Sequence, residues 1–230
     1  MTVRKAMDDR PLRLIVLHTV PQDSFAEDLV SEVVGAVTQQ GEVEVAHFDV
    51  PSMKLYDCPG CQDDGSAAPC RVNDIDSKRY KADDQFLDVF DKFQRADMVL
   101  ISATVKAGGA NAEAQRVMER LNCAHNRKPR AFLNKALGVV VASKESDVWS
   151  IAARIVAHLN GYGMSIPGYG TLVLTSAGRP VTDDETHDDE STSDVTSDVV
   201  DDILLNRDTQ EAITRLGRGL IEMAKANGRT

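Results

Sequence analysis

The sequence predicts an α/β fold in which helices cover both faces of a five-stranded parallel sheet. Short apolar runs rich in β-branched residues recur along the chain, for example LRLIVLH at Leu12–His18 and ALGVVVAS at Ala136–Ser143. Segments with helical apolar spacing separate these runs, and such alternation is typical of parallel sheets. With 230 residues, of which 42% are hydrophobic, the chain can bury the core of one domain, expected over residues 1–230.

Five strands and five helices alternate in this prediction. The strands are expected at Leu12–His18, Val43–Phe48, Asp97–Ser102, Ala136–Ser143 and Tyr169–Thr175. The helices are expected at Asp23–Gln40, Phe86–Phe93, Asn111–Ala124, Val148–Leu159 and within Val199–Asn227. Right-handed crossovers at this chain length favour the strand order 2-1-3-4-5, which is that of a flavodoxin-like three-layer sandwich.

Two segments do not fit this alternation. Residues 51–81 contain three cysteines and show little periodicity, so we expect a cysteine-bearing loop. Residues 183–202 contain eight Asp and two Glu and no Lys or Arg, so we expect a mobile, exposed acidic loop.

Composition excludes several classes of function. The formal net charge of −10 argues against a nucleic-acid groove or an anionic membrane surface, because phosphate groups would be repelled. The sequence contains no run of 18 apolar residues, so it predicts no membrane-spanning helix. The polar start MTVRKAMDDRPLR does not resemble a secretory signal, and four cysteines without one indicate a reducing compartment. We therefore expect a cytoplasmic protein.

A ligand site is predicted at the carboxyl edge of the sheet. In the order 2-1-3-4-5 the chain reverses direction between the first and third strands, and open α/β sheets bind ligands at that point. The loop His18–Ser24 follows the first strand, and the loop Ser102–Asn111 follows the third. These two loops should therefore meet above the site.

Four stretches resemble one known family. They are CPGCQDDGSAAPCRVND at Cys58–Asp74, ADMVLISA at Ala96–Ala103, MERLNCAHN at Met118–Asn126 and the run Asn134–Gly170. Together they resemble the flavodoxin-fold NAD(P)H-dependent FMN reductases. The resemblance covers most of the chain and implies FMN as cofactor and NAD(P)H as transient co-substrate. It also implies a small-molecule electron acceptor, such as a flavin or a quinone.

The resemblance implies that the first loop holds the FMN phosphate. The candidate contacts are Thr19, Gln22, Ser24 and Phe25. Hydroxyls and backbone N–H groups at a helix N-terminus bind phosphate, but the Arg common in relatives is missing and Asp23 adds a negative charge. A second interpretation stays open, because Ser24 and Glu27 have the spacing of a capping box that satisfies the helix without a phosphate.

The flavin ring is expected between the third and fourth loops. The candidate contacts are Ala103, Thr104, Val105, Lys106, Ala107, Gly108, Gly109, Ser143, Lys144 and Asp147. Relatives carry a Pro and aromatic residues in the third loop, where this chain has small residues. Lys106 is either near the electron-rich end of a reduced flavin or a solvated lysine, and Asp147 is either a flavin contact or a helix N-cap. No catalytic side chain is required, because the cofactor carries the redox chemistry.

The cysteines of residues 51–81 leave a further interpretation open. Cys58, Cys61 and Cys70 could hold zinc or an iron–sulfur cluster with one more ligand, or Cys58 and Cys61 could form a redox disulfide. They could equally be reduced cysteines that shape the loop. Trp149 is expected to pack its helix on the sheet.

Two alternatives to the reductase remain at this stage. One is a flavodoxin-fold subunit that has lost FMN and serves as a partner or scaffold, which the missing Arg, Pro and aromatic residues would explain. The other is a metal-binding or redox module built on the cysteine-bearing loop. We expect the chain to form a homo-oligomer or to be a subunit of a complex.

Overall fold

The computed structural model describes residues 10–21, 24–58, 81–125, 132–143, 147–175 and 204–228. The predicted acidic loop at 183–202 and most of the cysteine-bearing loop at 51–81 lie outside these ranges. So do four of the candidate contact residues: Gln22, Lys144, Cys61 and Cys70.

Five parallel strands form the central sheet. They are β1 (Leu12–His18), β2 (Val43–Asp49), β3 (Met98–Ala103), β6 (Ala136–Ser143) and β7 (Thr171–Thr175). Their order is β2-β1-β3-β6-β7, which confirms the predicted order 2-1-3-4-5. The sequence did not predict two further short strands, β4 (Val105–Lys106) and β5 (Gly109–Ala110), which pair as an antiparallel hairpin.

Five α-helices flank the sheet. They are α1 (Phe25–Thr38), α2 (Phe86–Arg95), α3 (Ala112–His125), α4 (Val148–Gly161) and α5 (Arg207–Asn227), with a short 3-10 turn at Val50–Ser52. One apolar cluster packs α1 and α5 against one face of the sheet, and a second packs α2, α3 and α4 against the other. This is the predicted three-layer sandwich.

The central strands are the most buried part of the molecule. All six residues of β3 are buried, and so are the first seven of β6, because helices cover both faces. Gly138 in β6 lets α5 approach closely, since a Cβ there would lie 2.9 Å from Leu100 Cδ1 and 3.1 Å from Leu220 Cδ1. Among the described residues, no helix has the length and hydropathy needed to cross a bilayer.

Trp149 corrects one expectation from the sequence. It was expected to pack α4 on the sheet, but 67% of its surface is exposed. Its neighbours Val148, Ile151 and Ile155 fill that role. The helical period therefore turns Trp149 towards solvent in the first turn of α4.

Candidate functional site

The ends of β1 and β3 are joined by hydrogen bonds at the carboxyl edge of the sheet. Thr19 N donates to Ser102 Oγ over 3.0 Å, and Thr19 Oγ1 donates to the carbonyl oxygen of Ser102 over 2.6 Å. Both residues are fully buried. The Thr19 hydroxyl, a candidate phosphate contact, is therefore bonded inward to the neighbouring strand.

Asn111 fastens the first loop to the third. Its Nδ2 donates to the carbonyl oxygen of Thr19, and its Oδ1 accepts from Thr104 N over 3.1 Å. Asn111 N also donates to the carbonyl oxygen of Thr104 over 3.1 Å, which closes the base of the hairpin. The two loops therefore meet as predicted, and the 4%-exposed Asn111 fixes their separation.

The third loop is the β4–β5 hairpin. Its two turn residues, Ala107 and Gly108, have φ of 49° and 72°. Positive φ at both central residues is the geometry of a type I′ hairpin turn, whose twist matches that of the flanking strands. This turn projects the tip of the hairpin into solvent beyond the edge of the sheet.

The candidate ring contacts in this loop divide into two sets. Ala103 and Val105 are buried in the core beneath the hairpin, so their side chains pack inward. Lys106, Ala107 and Gly108 are exposed, while Thr104 and Gly109 are half-buried. A ligand above the hairpin would therefore meet backbone and small side chains, with one cationic side chain at Lys106.

The N-terminus of α1 lacks the predicted capping box. Ser24 occupies the N-cap position with extended φ and ψ, but its side chain makes no capping hydrogen bond. Its Oγ is buried and has no hydrogen-bond partner among the described residues. Glu27 does not turn back to the N-cap, because both its carboxylate oxygens are bonded elsewhere. The capping-box interpretation is therefore wrong.

Glu27 belongs to a chain of polar groups on the α1 face of the sheet. Its Oε1 accepts from Ser102 Oγ over 2.7 Å, and its Oε2 is hydrogen-bonded to His18 Nδ1. His18 Nε2 lies 2.8 Å from Nδ1 of His47, the exposed histidine of β2. We call these four residues the histidine network. It runs from the buried Ser102 to solvent, directly beneath the first turn of α1.

The two histidines are close enough for their charges to interact. Their ring centroids are 5.1 Å apart, and the ring planes differ by 20°. Partial desolvation of its ring lowers the pKa of His47 below the usual range and the neighbouring His18 lowers it further, while Glu27 acts in the opposite direction.

The fourth loop is described only at its two ends. Ser143 is the half-buried last residue of β6, and Asp147 is the exposed N-cap residue of α4. The Asp147 side chain makes no capping hydrogen bond. Asp147 therefore occupies the predicted N-cap position and leaves its carboxylate in solvent.

Two of the three cysteines proposed as metal ligands, Cys61 and Cys70, lie outside the described residues. Cys58 is half-buried and forms no disulfide. Within the described ranges, no group of three or more His, Cys, Asp and Glu side chains could hold a metal ion.

A buried ion pair anchors both ends of the cysteine-bearing loop. Arg120 Nη1 and Nη2 donate to the two carboxylate oxygens of Asp84 over 2.7 and 3.0 Å, and both side chains are 0% exposed. Arg120 Nη1 also donates to the carbonyl oxygen of Tyr56 over 2.7 Å. The pair thus joins α3, the segment before α2 and the chain that leads to Cys58.

Sequence reasoning missed Asn111 and the histidine network. A signal for Glu27 was present, because the helical spacing of Glu27, Val30 and Val34 turns a carboxylate towards the sheet. His18, the last residue of β1 on the same face, is a natural partner for it. No comparable signal was present for His47, whose contact depends on the pairing of β1 with β2.

Comparisons with known proteins agree with this architecture. A family model described as NADPH-dependent FMN reductase matches residues 12–178. No curated protein matches the chain.

Solved structures share the fold. The crystal structure of RosB with bound 8-demethyl-8-formylriboflavin-5'-phosphate has a TM-score of 0.70 and 16% identity, over 94% of this chain and 79% of RosB. The apo form of the NADH:FMN oxidoreductase EMOB has a TM-score of 0.57 and 8% identity, over 94% and 89% of the two chains. FerB of Paracoccus denitrificans, an NAD(P)H:(acceptor) oxidoreductase, has a TM-score of 0.51 and 13% identity, over 92% and 98%.

Proposed function

The chain belongs to the NADPH-dependent FMN reductase family, and from that premise we propose that it passes electrons from NAD(P)H through FMN to a small-molecule acceptor such as a flavin or a quinone. FMN is the cofactor and NAD(P)H the co-substrate. We propose further that the phosphate of FMN binds at the N-terminus of α1. The ring would then lie between the hairpin at 103–110 and the segment Ser143–Asp147.

The proposed position of the FMN phosphate rests mainly on Ser24. Its buried Oγ has no partner in the part of the chain that the structure describes, although a buried hydroxyl without one costs about 1–3 kcal/mol. The N–H groups of Phe25 and Ala26 open the helix, where backbone donors have no intrahelical acceptor. A phosphate oxygen would satisfy all three donors at once, and the helix dipole favours an anion there.

The hairpin would hold the ring through its shape. Its exposed tip carries Ala107 and Gly108, so the backbone can approach a flat ring closely. Asn111 and the buried Val105 fix the hairpin to the sheet, which keeps that surface in place. FMN supplies the redox chemistry, and these residues orient the ring and exclude water from one of its faces.

Relatives support a flavin phosphate and a small acceptor. RosB binds a formylated riboflavin phosphate, and FerB is a flavoenzyme described as an NAD(P)H:(acceptor) oxidoreductase. Lys106, exposed on β4 opposite Gly109, places a positive charge at the hairpin edge. That charge would favour the reduced, more electron-rich ring.

Titration of the FMN-free protein with FMN tests the phosphate site. The chain has a single tryptophan, Trp149, so quenching of its fluorescence reports binding without contributions from other indoles. Ser24→Ala should weaken FMN binding roughly tenfold, because a hydrogen bond to a charged group is lost. Thr38→Ala is the matched control, since it removes a hydroxyl from the other end of α1.

Two outcomes would contradict the proposal. Equal FMN affinities of wild type and Ser24→Ala would show that the phosphate does not bind at this turn. Failure of the wild type to bind FMN would favour the scaffold-subunit alternative. NAD(P)H oxidation that requires FMN and a flavin or quinone would support the electron-transfer assignment.

A further inference from the structure

The proposed phosphate site lies in a strongly acidic part of the chain. Residues 18–41 contain no Lys or Arg, although a phosphate dianion needs a counter-charge. Glu27 and Asp28 occupy the first turn of α1, and Asp49 is paired in register with His18. Within the described residues, the two imidazoles of the histidine network are bonded to this turn through Glu27 and can supply a positive charge to it.

The hydrogen bonds of the histidine network limit how many protons it can hold. Ser102 Oγ donates to Glu27 Oε1, so the carboxylate accepts from His18 Nδ1–H with its other oxygen. One proton must lie between His18 Nε2 and His47 Nδ1, which are 2.8 Å apart. Two protons there would repel each other.

This arrangement can accept one additional proton without losing a bond. When the pair is neutral, His47 Nδ1–H donates to His18 Nε2. When one imidazole gains a proton, either ring can be the imidazolium, and the bond between the rings remains. With Glu27 ionised, the network then changes from a net charge of −1 to zero.

We propose that His18 and His47 supply, as one shared imidazolium, the positive charge that faces the FMN phosphate at the N-terminus of α1. This inference rests on the proposed phosphate site. His18 directly precedes the loop that would hold the phosphate, and its partner Glu27 is the third residue of α1. The imidazolium therefore lies just behind the bound anion and replaces the arginine that the loop lacks.

Proton uptake on binding follows from this proposal. A bound dianion stabilises the protonated pair, so FMN binding should be tightest at low pH and should weaken as the pH rises and the pair loses its additional proton. The charged groups on the packed elements are Glu27 and Asp28 on α1 and Asp49 on β2. Of these, Glu27 is bonded to His18, and its negative charge favours the protonated pair.

A comparison of FMN with riboflavin, which lacks the phosphate, distinguishes binding of the phosphate from binding of the ring. The wild type is titrated with FMN and with riboflavin by calorimetry, in two buffers of different ionisation enthalpy, at a pH where the FMN phosphate is a dianion. The double variant His18→Asn/His47→Gln has no imidazole in the network, while Asn can still donate to Glu27. His158→Gln is the matched control, because His158 lies on α4 and bonds to Tyr162 on the opposite face of the sheet.

The expected result is specific to the phosphate. FMN binding by the wild type and by His158→Gln should take up close to one proton, and riboflavin binding should take up none. The double variant should bind FMN about tenfold more weakly, without proton uptake, and riboflavin with unchanged affinity.

Three results would overturn the inference, and one of them also bears on the proposed function. FMN binding without proton uptake by the wild type would show that the histidines do not respond to the phosphate. An equal loss of FMN and riboflavin affinity in the double variant would indicate a structural role alone. If FMN and riboflavin bind the wild type equally, the phosphate site itself is wrong, whereas the first two results leave that site intact.

Discussion

Two buried charged groups of residues lie on opposite faces of the sheet and differ in their access to solvent. The Arg120–Asp84 pair is 0% exposed at both side chains, and the Arg120 guanidinium lies 4.3 Å from the centre of the Phe86 ring. The histidine network is also buried at Glu27 and Ser102, but it reaches solvent at His47. The first is a fixed ion pair, while the second can exchange protons with water.

The difference follows from the chemistry of the cations. A guanidinium stays charged at any relevant pH and its planar shape matches a carboxylate, so Arg120 and Asp84 form a pair with one protonation state. An imidazole changes charge near neutral pH. Arginine therefore stabilises the segments at the two ends of the cysteine-bearing loop, and histidine provides an adjustable charge beneath the candidate phosphate site.

Arg120→Met should have the largest effect on stability. It removes the guanidinium that bonds both oxygens of the buried Asp84 carboxylate, and breaking such a buried pair costs about 3–5 kcal/mol of the free energy of unfolding. Urea denaturation followed by circular dichroism measures the loss. The control is Arg116→Met on the same helix, because Arg116 pairs with an exposed Asp57 and its loss should cost under about 0.5 kcal/mol.

Asp84→Asn in the Arg120→Met background tests the cause. Removing the buried negative charge should recover about 1–2 kcal/mol, since Asn still accepts a hydrogen bond from the Tyr56 or Phe86 N–H. A double variant no more stable than Arg120→Met alone would show that lost packing, and not the buried charge, dominates.

Glu27→Gln should cost less, about 1 kcal/mol. The glutamine Oε1 can accept from Ser102, and its amide can donate to His18 Nδ1 after the imidazole changes tautomer. The same urea denaturation measures this effect. A loss as large as that of Arg120→Met would contradict the distinction between an adjustable and a fixed group.

The pH dependence of stability should also distinguish the two regions. This is the smallest of the expected effects. Partial desolvation of the ring lowers the pKa of His47 from its ordinary 6.5, so the folded state resists protonation and His47 costs stability as the pH falls below 6.5. His47→Gln should flatten the stability profile just below that pH. A profile unchanged by this substitution would show that His47 titrates alike in the folded and unfolded states.

Asp84 should affect the stability of the protein at a lower pH than His47 does. Burial alone would raise its pKa, but the hydrogen bonds from Arg120 and from backbone N–H groups hold it below the ordinary 3.8. Its stabilising contribution is therefore present above that pH and is lost as the pH falls through the folded-state pKa. Further loss of stability in strong acid should be smaller in Asp84→Asn.

The sheet could be predicted because its signal is local. Each strand is a run of apolar residues. Its alternation with helices, together with right-handed crossovers, the chain length and the family resemblance, gives the order β2-β1-β3-β6-β7. The polar contacts could not be predicted in the same way. Ser24 and Glu27 have the spacing of a capping box. The helical spacing turns Glu27 towards the sheet, but its bonds to His18 and Ser102 depend on how α1 packs against β1 and β3.

The other features that the sequence did not predict depend on contacts between residues far apart in the chain. Arg120 and Asp84 are 36 residues apart, and His18 and His47 are 29 apart, so no local pattern relates either pair. The hairpin was missed because Ala107 adopts positive φ, which its side chain does not favour. Tertiary packing decides each of these features.

Amide chemical shifts in the presence of FMN and of riboflavin test the phosphate site most directly. If the FMN phosphate binds over the first turn of α1, FMN should shift the amide resonances of Phe25 and Ala26, and riboflavin should leave them nearly unchanged. Both ligands should shift the resonances of the hairpin at Lys106–Gly109. Shifts at Phe25 and Ala26 that are the same with riboflavin, or absent with FMN, would contradict this account.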